Sequence, residues 1–279
     1  MPSAFTPTSP LRQRFRPLLW LGIAFVAISF ITRVILLIMS GHNIAHTPAN
    51  LLYAFGAGLG YDLITFVYFA WPMVLFLWLV PTSAGRMTAW QRWLVYAAGV
   101  VLACAICVEA LHLTYHASLK VTWPAILPFL FVLPLAAFTY TSRVGQWVLY
   151  GFALLLLYGL FFVAASELVF WNEFSSRFNF IAVDYLVYTT EVIGNIRESY
   201  PVGLWLALLV ALTLAVFFAS RRGLRAQDDG SRLWQRGKVV LLWLVLTVVS
   251  VAMVNGGSKD RTGNNYVNEL AGNGIYQFF

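Results

Sequence analysis

Three ionisable side chains stand where hydrocarbon is expected. Arg33, Asp62 and Glu109 each lie inside a long apolar run. A charge within a membrane span is costly and points by default to a functional role. With a rise of about 1.5 Å per residue, all three fall in the outer half of the membrane. Arg33 and Asp62 belong to consecutive antiparallel helices at similar depth. Either they form an ion pair that keeps the first two helices in register, or they line a polar outer-leaflet cavity for a lipid headgroup. A third option joins them to Glu109 as the proton or ion pathway of a small transporter. Glu109, His112 and His116 occupy i, i+3 and i+7 of one helix face, and His42 and His46 fall on the first outer loop. Imidazole and carboxylate at that spacing can bind a transition metal, but no second helix supplies a matching set, so no metal ligand is assigned. Cys104 and Cys107 spell CxxC in mid-span, where packing is the natural role rather than redox chemistry.

The stretch 171–200 is the most informative. Phe174, Phe178, Ile181, Tyr185, Tyr188, Val192 and Ile196 recur every three or four residues, a helical stripe rich in Phe and Tyr. The positions between are polar or charged. Such a segment is expected to lie in the outer interface as two short helices meeting near residues 178–180. Arg177 has the planar donors to grip a lipid phosphate, Asp184 and Glu191 share a face, and Arg197 adds a second cation. These four are the lipid-headgroup candidates. The alternative is an amphipathic lid that only seals the bundle.

The elements that must hold these groups follow from composition. Of 279 residues, 60% are hydrophobic and 10% charged, with mean hydropathy +0.76, whereas soluble domains are about 25% charged. This excludes a soluble enzyme, a disordered tail and a disulfide scaffold. The net charge of +7 does not make a nucleic-acid patch, because the basic residues fall in the gaps between apolar runs. The expected fold is all-α, a polytopic membrane helix bundle. Runs at 17–39, 51–80, 93–115, 124–140, 146–170, 201–220 and 238–254 are each about long enough to cross. That makes about seven spans, or five if two are merged. Pro128 and Pro134 kink or break the fourth. Twelve Lys and Arg lie in the segments on the N-terminal side and five on the other, so the positive-inside rule gives N-in and C-out. The first run is too long for a signal-peptide core and reads as an uncleaved anchor. The chain then divides into a basic N-terminus (1–16), the bundle with its interfacial segment (17–254), and an extracytoplasmic linker (255–279) rich in Gly and Asn.

A resemblance joins these features. The runs 170–174, 177–188 and 191–197, with Arg177, Asp184, Glu191 and Arg197, resemble the membrane domain of lipoteichoic acid synthase-like phosphoglycerol transferases. The catalytic part of that family belongs to the sulfatase and alkaline phosphatase superfamily. Asp62 after Gly60-Tyr61 and the tail 268–279 are also similar to it. The resemblance implies a bacterial cytoplasmic-membrane enzyme that moves phosphoglycerol from a membrane phospholipid onto a threonine beside manganese or magnesium. It implies that the threonine and the metal ligands lie in a soluble catalytic domain beyond Phe279, in the same reading frame or separately encoded. No catalytic residue and no cofactor is therefore assigned to this chain. Its partners are expected to be membrane phospholipid and that catalytic domain. The family commonly has five spans, and this chain adds a helix pair around 116–145. The other readings are a stand-alone membrane lipid-binding or regulatory protein, and the transporter above.

Overall fold

A computed structural model describes residues 10–44, 47–79, 142–179, 194, 198, 200–225, 233–254 and 256–278. All their regular structure is helical: α1 (Pro10–Arg14), α2 (Arg16–Ser40), α3 (Pro48–Phe69), α4 (Trp71–Leu79), α5 (Ser142–Phe174), α6 (Val202–Ser220), α7 (Leu233–Met253), α8 (Asn265–Ala271) and α9 (Gly274–Phe278). Short 3-10 turns occur at Gly41–Asn43 and Gly256–Lys259. Five helices, α2, α3, α5, α6 and α7, are long and apolar enough to cross a membrane. Their surfaces agree with that solvent. Leu204, Leu208, Phe218, Leu241, Val248 and Val251 are all exposed, an outward apolar face that water would penalise and lipid accepts. On α6 only Thr213 and Phe217 are buried. This is a helical membrane protein.

The helices depart from the apolar runs in instructive ways. The run at 51–80 is two helices, not one. The chain turns at Ala70, and Pro72 then sits in the first turn of α4, where its missing N–H is not needed. The fifth run continues through polar residues to Phe174, so Trp171 belongs to α5 rather than to a separate interfacial helix. Likewise α7 starts at Leu233, ahead of Lys238. Backbone hydrogen bonding continues wherever it is geometrically possible, and hydropathy marks only the part fit for hydrocarbon. The expected spans at 93–115 and 124–140, and positions 180–193 of the aromatic stripe, lie outside the described residues.

The chain forms two compact units. The first takes in Met1–Leu18, Phe69–Phe152 and Gly223–Leu244. Within it α4 is buried on nearly every side, through Met73, Val74, Leu75, Phe76, Leu77 and Leu79. Phe76 meets Phe152 edge-on at 5.5 Å, Arg14 Nε donates to Leu77 O (2.6 Å), and Gln146 Nε2 donates to Leu224 O (3.3 Å).

The second unit comprises Leu19–Tyr68, Ala153–Arg222 and Val245–Phe279, and it holds the polar cluster. Its apolar base is Leu36, Ile44, Ala54, Trp171, Val267 and Leu270. The residues after α7 do not run out as an extended linker. Asn264 caps α8 by accepting from Val267 N, as N-cap Asn does. Asn268 closes the preceding loop through Thr262. Asn273 then caps α9 by accepting from Ile275 N and Tyr276 N. Tyr276 packs on Tyr61 and Tyr68 and donates its hydroxyl to Val254 O (2.9 Å).

Candidate functional site

The cluster begins with spacing on three helices. On α3 the buried positions are Ala54, Gly58, Tyr61, Asp62 and Thr65, one face at intervals of three and four. On α2, Ser29, Thr32, Arg33, Leu36 and Ser40 are buried at the same periodicity. Thr32 and Ser40 return their hydroxyls to Ile28 O and Leu36 O, leaving Arg33 as the group that must find partners elsewhere. On α5 the stripe is Leu157, Leu160, Glu167, Phe170 and Trp171.

Arg33 and Asp62 pair. Arg33 Nη1 and Nη2 donate to the two Asp62 oxygens at 2.8 and 3.0 Å, a bidentate fork that only a planar guanidinium makes. Both side chains are 1% exposed. The fork fits because Gly58 stands one turn before Asp62. A Cβ built on Gly58 would come closer than 3.0 Å to Cζ, Nε and Nη2 of Arg33. The glycine-rich start of this helix, which suggests close helix packing, thus provides at Gly58 a seat for a charge.

Two further donations from Arg33 go to backbone. Nε donates to Leu270 O (2.8 Å) and Nη2 to Gly272 O (3.2 Å). These carbonyls lie at the break between α8 and α9. Asn273 Nδ2 donates to Asp62 Oδ1 (2.7 Å), so one side chain both caps α9 and completes the carboxylate.

Arg177 is the other centre. Helix α5 ends at Phe174, Ser175 takes a left-handed conformation (φ +53°), and the chain bends so that the Arg177 side chain, 1% exposed, turns inward. Its Nε and Nη2 bind Glu167 Oε2, the first at 2.8 Å. Nη1 donates to Gly272 O (2.6 Å), and the Arg177 backbone N–H donates to Glu269 Oε2 (3.0 Å). Glu269 also pairs with Lys259. Two guanidinium groups therefore meet on one carbonyl oxygen, that of Gly272. Three cations and three carboxylates balance, as buried charge requires. Gly274 serves Glu167 as Gly58 serves Arg33: a Cβ there would fall within 3.0 Å of the carboxylate.

Of the headgroup candidates, Arg177 is thus buried against Glu167 and Gly272 O rather than turned toward a lipid phosphate. Asp184, Glu191 and Arg197 lie outside the described residues, as do Glu109, His112, His116, His46, Cys104 and Cys107. His42 falls in the 3-10 turn after α2, and only its backbone is described. Glu167 escaped the reading of the sequence, although it too is a carboxylate inside an apolar run. Counting every Asp and Glu within the fifth span would have found it.

The arrangement leaves little free space. The cavity bounded by Ser29, Thr32, Glu167, Arg177 and Asn273 measures about 10 Å³, room for roughly one water. Among the described residues no three His, Cys, Asp or Glu gather into a group that could hold a metal ion. No protein-family model, curated protein or solved structure matches the chain.

Proposed function

We propose that this chain is the membrane-anchoring domain of a phosphoglycerol transferase-like protein of a bacterial cytoplasmic membrane. On this reading it crosses seven times, N-in and C-out, with runs 93–115 and 124–140 completing the spans. Its interfacial stretch gathers glycerophospholipid for a catalytic domain that carries the threonine and the metal. The observation that carries the reading is the docking of residues 256–278. Leu270 O, Gly272 O, Asn273 and Glu269 bind groups on α2, α3 and the turn after α5. An anchor that must hold a following domain at a fixed height needs such a rigid exit from the last span. A flexible linker would need none of it. The residues that resemble the transferase family, 170–197 and 268–279, include both Arg177 and the docked tail, which adds support.

The test has two stages. The reading frame and neighbouring genes are sequenced around the codon for Phe279, and the encoded protein, or the co-expressed pair, is purified in nanodiscs. Manganese-dependent release of diacylglycerol from phosphatidylglycerol is then measured. The expected result is a soluble domain with a metal-binding threonine, and release that requires both parts. If no such domain is encoded there, or release proceeds equally without residues 1–279, the proposal fails.

A further inference from the structure

We infer that the stretch Glu269–Asn273 is a coupling clasp, which makes the docking of the C-terminal segment and the anchoring of the chain at Arg177 a single event. This goes beyond the transferase reading and does not depend on it. The clasp touches two buried ion pairs, Arg33–Asp62 and Glu167–Arg177. Toward Arg33–Asp62 it offers Leu270 O, Gly272 O and Asn273 Nδ2. Toward Glu167–Arg177 it offers Gly272 O and the Glu269 carboxylate. The shared element is the Gly272 carbonyl, which accepts from both arginines.

The physical consequence is cooperative. If the clasp leaves, Arg33 Nε and Arg177 Nη1 lose their acceptors, and both side chains are buried at 1% exposure. A buried unsatisfied donor carries its full desolvation penalty. Conversely, if the chain at Arg177 pulls away, Gly272 O loses its shortest donor and Glu269 loses the Arg177 amide. Each site thus biases the other through defined contacts, which is the physical meaning of coupling, and the effect on binding equilibria is reciprocal.

Hydrogen exchange on the full chain in nanodiscs tests this. Asn273→Ala removes the hydrogen bond to the Asp62 carboxylate and the cap on Ile275 and Tyr276, and takes no bond from Arg177. It is expected to speed exchange by at least about tenfold in 265–278, since one such bond alone has that effect, and also at 175–179, while mid-α5 amides stay unchanged. Glu167→Gln, which loosens Arg177 and keeps the side-chain volume beside Gly274, is expected to speed exchange at 265–271, away from that contact. Faster exchange confined in each variant to the segment nearest its substitution would overturn the coupling. If Glu167→Gln does not yield folded protein, the response of 175–179 to Asn273→Ala decides alone, because that substitution lies outside the spans.

Discussion

Gly58 gives the sharpest test of the cluster, because two simple effects predict opposite signs there. In a helix interior, Gly→Ala gains roughly 1 kcal/mol from backbone entropy. Gly56, Gly58 and Gly60 all lie in α3, so propensity alone favours alanine at each. At Gly56 and Gly60 an added Cβ meets nothing within 4 Å. At Gly58 it meets the Arg33 guanidinium below 3.0 Å. A free arginine would swing aside, but this one is fixed by both Asp62 oxygens, Leu270 O and Gly272 O. Displacing it breaks a buried pair, and losing one partner of such a pair costs about 3–5 kcal/mol. The net expectation is a loss of about 2–4 kcal/mol for Gly58→Ala, against neutral or slightly stabilising effects for Gly56→Ala and Gly60→Ala. Thermal ramps of the full chain in detergent, followed by fluorescence-detected size exclusion, read the difference. In an Arg33→Ala background the guanidinium is gone, so Gly58→Ala should no longer be harmful, a double-mutant cycle that isolates the contact. If the three alanines behave alike, or the cycle shows no coupling, Gly58 is not the seat of Arg33.

Other perturbations give further outcomes. Glu167→Ala leaves Arg177 buried without its carboxylate and should cost about 3–5 kcal/mol, whereas Glu167→Leu with Arg177→Met should cost less in the same thermal assay; equal losses would speak against the pair. Arg33→Lys keeps the charge but cannot reach both Asp62 oxygens and two carbonyls, and a loss of about 2 kcal/mol is expected from the missing hydrogen bonds; unchanged stability would contradict the bidentate geometry. Burial, with Tyr68 nearby as a lesser cause, pushes the Tyr276 hydroxyl above its ordinary value of 10.0. A raised folded-state value means its contribution is complete below pH 10 and is lost as pH climbs through the raised value. The thermal midpoint should therefore fall in that alkaline range, and Tyr276→Phe should flatten the fall while losing about 1 kcal/mol at neutral pH from the bond to Val254 O. An identical alkaline profile in both proteins would remove Tyr276 as the cause.

How far the molecule could be read in advance differs from residue to residue. The five long helices follow from apolar length, since lipid leaves a spanning chain few other ways to satisfy its backbone. The nearness of Arg33 and Asp62 also followed, from counting residues along two antiparallel helices. Their completion by Leu270 O and Gly272 O did not, because every residue has a carbonyl and nothing in its side chain says where that carbonyl is spent. The Gly- and Asn-rich tail has the composition of a linker, yet Asn264, Asn268 and Asn273 each make a cap or loop bond. Composition records that the backbone must turn there, not that the turn docks. The inward turn of Arg177 was not legible for a related reason. It follows from Ser175 in a left-handed conformation, and a non-glycine at positive φ is uncommon enough to escape a reading by pattern.

The long reach of the Arg33 contacts has a consequence in time. Asp62 follows Arg33 by 29 residues, but Leu270 follows it by 237. At a synthesis rate of about 5–20 residues per second, the carboxylate is made within a few seconds and the carbonyl only after roughly 10–50 s. Through that interval the first two helices must keep a guanidinium within the membrane with part of its hydrogen-bonding capacity unanswered. Asp62 is the group that can hold it there while the rest of the chain is made. Biogenesis, and not only the finished fold, therefore depends on that early carboxylate, and its loss should lower the yield of inserted protein more than the stability of whatever survives.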